Sequence, residues 1–182
     1  MITSTSSLST ASQTAVPRID AASYRAAMRY HAGAVVILSA GTLGDRTGLT
    51  ATSVCSLSDT PPRLIACVNR SASAHALIRR TAAFGVNMLR AGQEELANVF
   101  AGRRGIERDD RFSGAESWLS LATGAPILKS ALVGLDCELV GEHAYDTHSI
   151  FVGEVRAVHQ RDGDAPLIYF GGQFCALAPR AG

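Results

Sequence analysis

The chain has 182 residues, 47% of them hydrophobic and only 18% charged, so it can fill one sizeable core, and its length suits one domain better than two. Seventeen Lys and Arg against 16 Asp and Glu leave a formal charge of +1. No basic run is long enough to track a phosphate backbone, which argues against a nucleic-acid partner. No apolar stretch approaches the roughly 20 residues that cross a bilayer, and residues 1–16 lack the basic start and apolar middle of an export signal, so a cytoplasmic protein with no membrane segment is expected.

Residues 1–18 are Ser/Thr/Ala-rich without periodicity and predict a flexible tail ahead of a domain over 19–182. Asp20 suits the N-cap of a helix over 21–31, whose Tyr24, Ala27, Met28 and His31 share one face expected to pack on the core. The β-branched run from Ala34 to Ser39 reads as a strand ending in the turn-rich Gly41 to Asp45. Further strands over 47–53 and 63–68 bracket Ser56 to Pro62, where two prolines predict an irregular loop. Ser73 is placed to cap a short helix through Ile78. A strand over 84–89 and a helix over 93–100 follow, and then a loop of mixed charge. Residues 131–140 and 149–158 are strand-like, joined through 142–148, and 166–170 forms a last strand. Strands dominate, with no strand–helix alternation, so a mainly β domain is predicted: a closed or partly closed barrel with peripheral helices. Cys55, Cys67, Cys137 and Cys175 are scattered without metal-ligand spacing and read as reduced, mostly buried thiols.

The sequence holds no Gly-x-Gly-x-x-Gly after a strand, no phosphate loop and no Gly-x-Ser-x-Gly, which disfavours a Rossmann dehydrogenase or a serine hydrolase. Two hydroxyl-rich segments remain. Thr50-Ala51-Thr52-Ser53-Val54-Cys55-Ser56 ends a strand, and Asn69-Arg70-Ser71-Ala72-Ser73 opens a helix; both suit a polar planar ligand approached closely by backbone. Unpaired amides and the positive dipole end of a helix attract phosphate, with Ser71 and Ser73 as added donors. The alternative is that Ser73 only caps and Ser71 only shapes a turn. Of the two basic pairs, Arg79-Arg80 reads as a solvated helix end, while Arg103 and Arg104 stay as ligand candidates.

Gly48 through Pro62, followed by Asn69 to Ser73, resembles the short-chain flavin reductase family, whose members supply reduced flavin to two-component monooxygenases. The resemblance continues through Phe84-Gly85-Val86-Asn87, Phe100-Ala101-Gly102, Asp110-Arg111-Phe112, Asp146-Thr147-His148 with the strand after it, and Pro166 to Phe170. It implies an FMN-binding split β-barrel of Greek-key type, a homodimer, and FMN or FAD as ligand. By position, Thr50, Ala51, Thr52, Ser53 and Ser56 would line the isoalloxazine and ribityl chain. Asn69, Ser71 and Ser73 would take the phosphate end, assisted by Arg103 or Arg104, and Phe100 and Tyr169 fall in matching motifs. Thr147 and His148 would lie beside the nicotinamide, although the family's turn usually reads Gly-Asp-His. The implied activity is hydride transfer from NADH to flavin, with NADPH left open as donor, and release of reduced flavin to a flavin-dependent monooxygenase. Two rivals are a non-catalytic split-barrel flavin binder and an oxidase holding its own FMN. Hydride transfer between stacked rings requires orientation and no strong acid or base, in keeping with the lack of a triad or carboxylate pair.

Overall fold

The computed structural model describes residues 16–177. Most of the tail expected over 1–18 lies outside the described residues. Helix α1 (Ala21–Met28) begins where expected: Asp20 Oδ1 accepts from the amides of Ala22 and Ser23 at 2.8 and 2.9 Å. Its predicted core role is overturned, because α1 buries no residue. Tyr24 is 55% and Met28 46% exposed, and His31 is also on the surface. Helical spacing places those side chains on a shared face, but it does not say what covers that face.

Strands β1 (Gly33–Ala34), β2 (Val36–Thr42) and β3 (Asp45–Ala51) follow, with Gly44 at φ +87 in the tight turn between the last two. Strand β2 is buried at every residue but its last, because it separates two cores. Val36, Leu38 and Ala40 face one, while Val35 and Ile37 face the other, as the two-residue period of a strand requires. Next come β4 (Val54–Asp59), β5 (Pro62–Asn69), α2 (Ser73–Thr81), β6 (Ala83–Met88) and α3 (Glu94–Phe100). A 3-10 turn at Arg108–Phe112 leads to the small pair β7 (Trp118–Ser120) and β8 (Pro126–Leu128). The long hairpin β9 (Val133–Ala144) and β10 (His148–Gln160) and a final hairpin, β11 (Leu167–Phe170) and β12 (Gln173–Ala176), complete the chain.

Seven strands form one antiparallel sheet in the order β3-β2-β6-β9-β10-β5-β4. Its two edge strands, β3 and β4, are consecutive in the chain and joined only by Thr52 and Ser53. The sheet must therefore curl until its edges meet at that corner, where the Cys67 amide donates to the Ser53 carbonyl at 3.0 Å. Away from the corner β3 and β4 share no ladder, and the barrel is split. Core residues such as Leu64, Val68, Ile78, Phe84 and Phe151 fill the curl, and α2 packs into it through Ala74, Leu77 and Ile78.

Two further expectations are corrected. Residues 56–62 are not an irregular loop: β4 pairs with β5 from Val54↔Ala66 to Asp59↔Pro62, with a bulge between Ser56 and Ser58. The prolines fit because Pro61 lies in the turn and Pro62 opens its strand, positions that need no ladder donor. Of the cysteines, only Cys137 is buried; Cys67 is half-buried, and Cys55 and Cys175 are exposed.

Candidate active site

A cleft of about 200 Å³ opens where the end of β3 meets α3 and the β11–β12 hairpin. It is lined by Thr50, Ala51 and Thr52 on one wall, Ala101 and Arg103 on a second, and Val35, Tyr169 and Phe174 on a third. Each wall has a local cause. The Thr50 hydroxyl donates to the Ala97 carbonyl at 2.7 Å, holding α3 against β3 so that the residues after the helix reach the cleft. Tyr169 is held by pairing with Gly33 across β1 and by an edge-on contact with Phe174 at 5.7 Å. Phe100, 1% exposed, lies under the cleft in a cluster with Phe112 and Trp118. Gly48 lets it approach, since a Cβ there would stand 2.9 Å from the Phe100 ring and 2.8 Å from the Leu38 carbonyl.

The rim segment after α3 is also tied to β3. Arg46 forks onto Asp109 at 2.7 and 3.0 Å with its guanidinium 4.7 Å over the Phe112 ring, and Arg111 donates to the Gly48 carbonyl at 3.0 Å. The Arg46 fork holds the Asp109 carboxyl below the usual carboxylate range. Arg103 itself leans on the Asn98 side chain at 3.0 Å. Arg104 takes no part in the cleft lining: its Nε and Nη2 donate to the two Glu95 carboxylate oxygens at 2.6 Å, which lowers the Glu95 pKa.

The second hydroxyl-rich segment lies around the corner of the sheet. The Ser53 hydroxyl donates to the Cys67 carbonyl at 3.0 Å, and two residues beyond Cys67 stands Asn69, paired in register with His148. Asn69 Oδ1 accepts from both the amide and the hydroxyl of Ser71, at 2.9 and 2.8 Å, closing an Asx turn. The predicted cap at Ser73 is corrected. Ala72 occupies the N-cap with extended backbone and no side-chain cap bond, while the Ser73 hydroxyl pairs with Thr47 Oγ1 at 2.8 Å. The Arg70 amide donates to the Thr147 carbonyl, and Thr147 Oγ1 meets His148 Nδ1 at 2.8 Å, leaving Nε2 as the outward ring nitrogen. Ser53, Asn69, Ser71, Thr147 and His148 are thus tied to one another through the end of β5, which with the adjoining Thr52 makes the rim of the sheet. Ser56 is separate, in a groove on β4 with Cys55, Ser58 and Arg63.

Val35, Ala101 and Phe174 line the cleft without having been expected there. They are apolar, and Phe174 sits on a strand, β12, whose short pattern carried no distinct signal. The side-by-side placement of β1, β11 and β12 brings Val35 and Phe174 there, and the docking of α3 on β3 brings Ala101.

Comparison with known proteins bears on this arrangement. The family described as "Flavin reductase like domain" matches residues 28–178. The chain belongs to this flavin reductase family. Among its relatives is the FMN reductase (NADH) RutF of Methylorubrum extorquens, 41% identical over 175 residues, covering 95% of this chain and 84% of the relative. The corresponding protein of Stutzerimonas stutzeri is 40% identical, with 85% and 87% covered. Among solved structures, BorF, the flavin reductase component of a bacterial two-component tryptophan halogenase, superposes with a TM-score of 0.81 at 31% identity, covering 88% of this chain and all of that one. The NADH:FAD oxidoreductase SgcE6 of Streptomyces globisporus, in complex with NAD and FAD fragments, gives 0.80 at 29%, with 90% and 96% covered. The split-barrel fold expected from the sequence is the fold of this flavin reductase.

The cleft suits a flavin. Its walls are apolar enough for a planar ring, and the Thr52 hydroxyl and one guanidinium, that of Arg103, stand among its lining for ring and chain polar atoms.

Proposed function

We propose that this flavin reductase binds FMN or FAD and NADH together along the rim, and releases reduced flavin to a separate flavin-dependent monooxygenase or related enzyme. The observation that carries the reading is the convergence of Thr50, Ala51, Thr52, Arg103 and Tyr169, from three separate parts of the fold, on a single cleft. When bound, flavin supplies the ring that accepts a hydride from dihydronicotinamide.

The protein's part is binding and orientation. Thr52 presents its hydroxyl, and Thr50 to Thr52 their close-lying backbone, to one edge of the ring, and Val35, Tyr169 and Phe174 exclude water from its apolar face. Arg103 and the opening of α2, with the Ser73 hydroxyl, attract the phosphate end, while Ser71 shapes the turn before the helix. His148, at the far side of Asn69, offers Nε2 to the nicotinamide nucleotide and aligns it without moving a proton in the chemical step. An open cleft lets the product leave. The relatives at 40–41% identity are FMN reductases (NADH), so FMN with NADH is the first pair to assay. A homodimer and a cytoplasmic site, where NADH is supplied, complete the proposal.

Stopped-flow absorbance with NADH and excess free flavin tests it. Many turnovers of added flavin are expected; reduction of no more than one equivalent, or none, overturns it.

A further inference from the structure

Beneath the rim, on the inner side of the sheet, three polar side chains from three elements meet in a place the hydride transfer does not use. His75 on α2 is 6% exposed and Ser149 on β10 is fully buried; Glu142 on β9 is half-buried. The Ser149 hydroxyl donates to Glu142 Oε1 at 2.8 Å, so its oxygen is left to accept from His75 Nε2, 2.9 Å away. His75 Nε2 also stands 3.4 Å from Glu142 Oε1, and Arg79 closes the other carboxylate oxygen at 2.9 Å. Burial alone would raise the Glu142 pKa, but the Ser149 hydroxyl, Arg79 and His75 outweigh it and hold the carboxyl below its usual range. The His75 ring packs against Phe151 with centroids 5.1 Å apart, which confines its rotation.

Ser149 follows His148 directly, and alternate strand residues face opposite ways, so clamping Ser149 inward sets the direction in which His148 points outward. The clamp is held by α2, whose first residues lie at the proposed phosphate end. We infer that His75 is a positioning residue for the nicotinamide nucleotide, acting through Ser149 and Glu142 on His148 and tying the flavin-phosphate end of the site to the nicotinamide end. A multiply bonded, largely buried network of this kind fixes geometry at its members' termini more firmly than a single contact would. The inference rests on the reading that His148 faces the nicotinamide nucleotide.

A double-mutant cycle on KM for NADH tests it. His148→Ala and His75→Leu are each expected to raise that KM about tenfold, with the flavin KM changed less than about twofold. In the His148→Ala background, His75→Leu should add nothing further, and His75→Gln, which keeps a donor near the Nε2 position, should restore most of the affinity. Ser149→Ala serves in the same cycle if the leucine variant does not fold. If His148→Ala leaves NADH kinetics unchanged, the placement of the nicotinamide fails. If His148→Ala raises the KM but His75→Leu does not, or adds its effect independently, the clamp is refuted and the placement stands.

Discussion

Serine hydroxyls near the start of α2 illustrate how hydrogen-bond bookkeeping separates residues that look equivalent in sequence. The Ser71 hydroxyl has given its proton to Asn69, whereas the Ser73 hydroxyl shares a bond with Thr47 in which either can donate. Ser73 can therefore turn its proton to a phosphate while accepting from Thr47. Ser73→Ala is expected to raise the flavin KM roughly tenfold, the worth of one charge-assisted bond. Ser71→Ala should cost stability through its turn and leave flavin affinity nearly unchanged, and the opposite ranking would place the phosphate against the turn. Thiol chemistry divides in the same way. Burial, and then the neighbouring Asp136 charge, pushes the Cys137 thiol up to about 12, while Cys55 and Cys175 are exposed. At pH 8, native protein should react with a thiol reagent at Cys55 and Cys175 but not at Cys137, as peptide mapping after labelling would reveal.

Among the elements, the segment between α3 and β7 depends most on a few polar ties. It carries Arg103 to the cleft, and its most buried ion-pair link to β3 is Arg46 with Asp109, side chains 13% and 31% exposed, reinforced by Phe112 beneath the guanidinium and by Arg111 on the Gly48 carbonyl. Asp109→Ala leaves Arg46 partly buried without its carboxylate and should cost about 1–2 kcal/mol in a denaturant titration, with a higher flavin KM as the rim loosens. The pH dependence has a definite sign. Because the Asp109 pKa is lowered in the folded state, its contribution is present above the ordinary carboxylate pKa and is lost as pH falls through the folded value. Asp109→Asn should accordingly show a shallower loss of stability on acidification than the parent protein.

For the whole molecule, the surface left by one chain is informative. Ile19, Tyr24, Met28 and Tyr30 on and around α1 are exposed, and Tyr30 meets the exposed Phe170 edge-on at 6.0 Å. Aromatic and aliphatic groups grouped on one side are costly to leave in water and suit an isologous contact with a second copy. Light scattering at micromolar concentration should give twice the 19.1 kDa chain mass, and Tyr24→Glu with Met28→Glu should reduce it to one. A parent protein that is monomeric and reduces flavin at full rate would exclude the dimer as part of the site.

Local signals were enough to place most elements: the cap at Asp20, the β-branched run before Gly41, the hydroxyl-rich strand end at Thr50 to Ser53, and the absence of strand–helix alternation. They were enough because capping, side-chain alternation and turn chemistry act over a few residues. The ordered set of motifs from Gly48 to Phe170 likewise determined the flavin reductase family. Whether α1 faces core or solvent, whether two prolines end a strand or open one, and which of Arg103 and Arg104 reaches the cleft depended on neighbours distant in sequence. Val35, Ala101 and Phe174, and the meeting of His75, Glu142 and Ser149, were invisible for the same reason. Apolar lining and buried polar partnerships acquire meaning only when the sheet curls to bring β3 to β4 and α2 to the β9–β10 hairpin, and no local pattern records that closure.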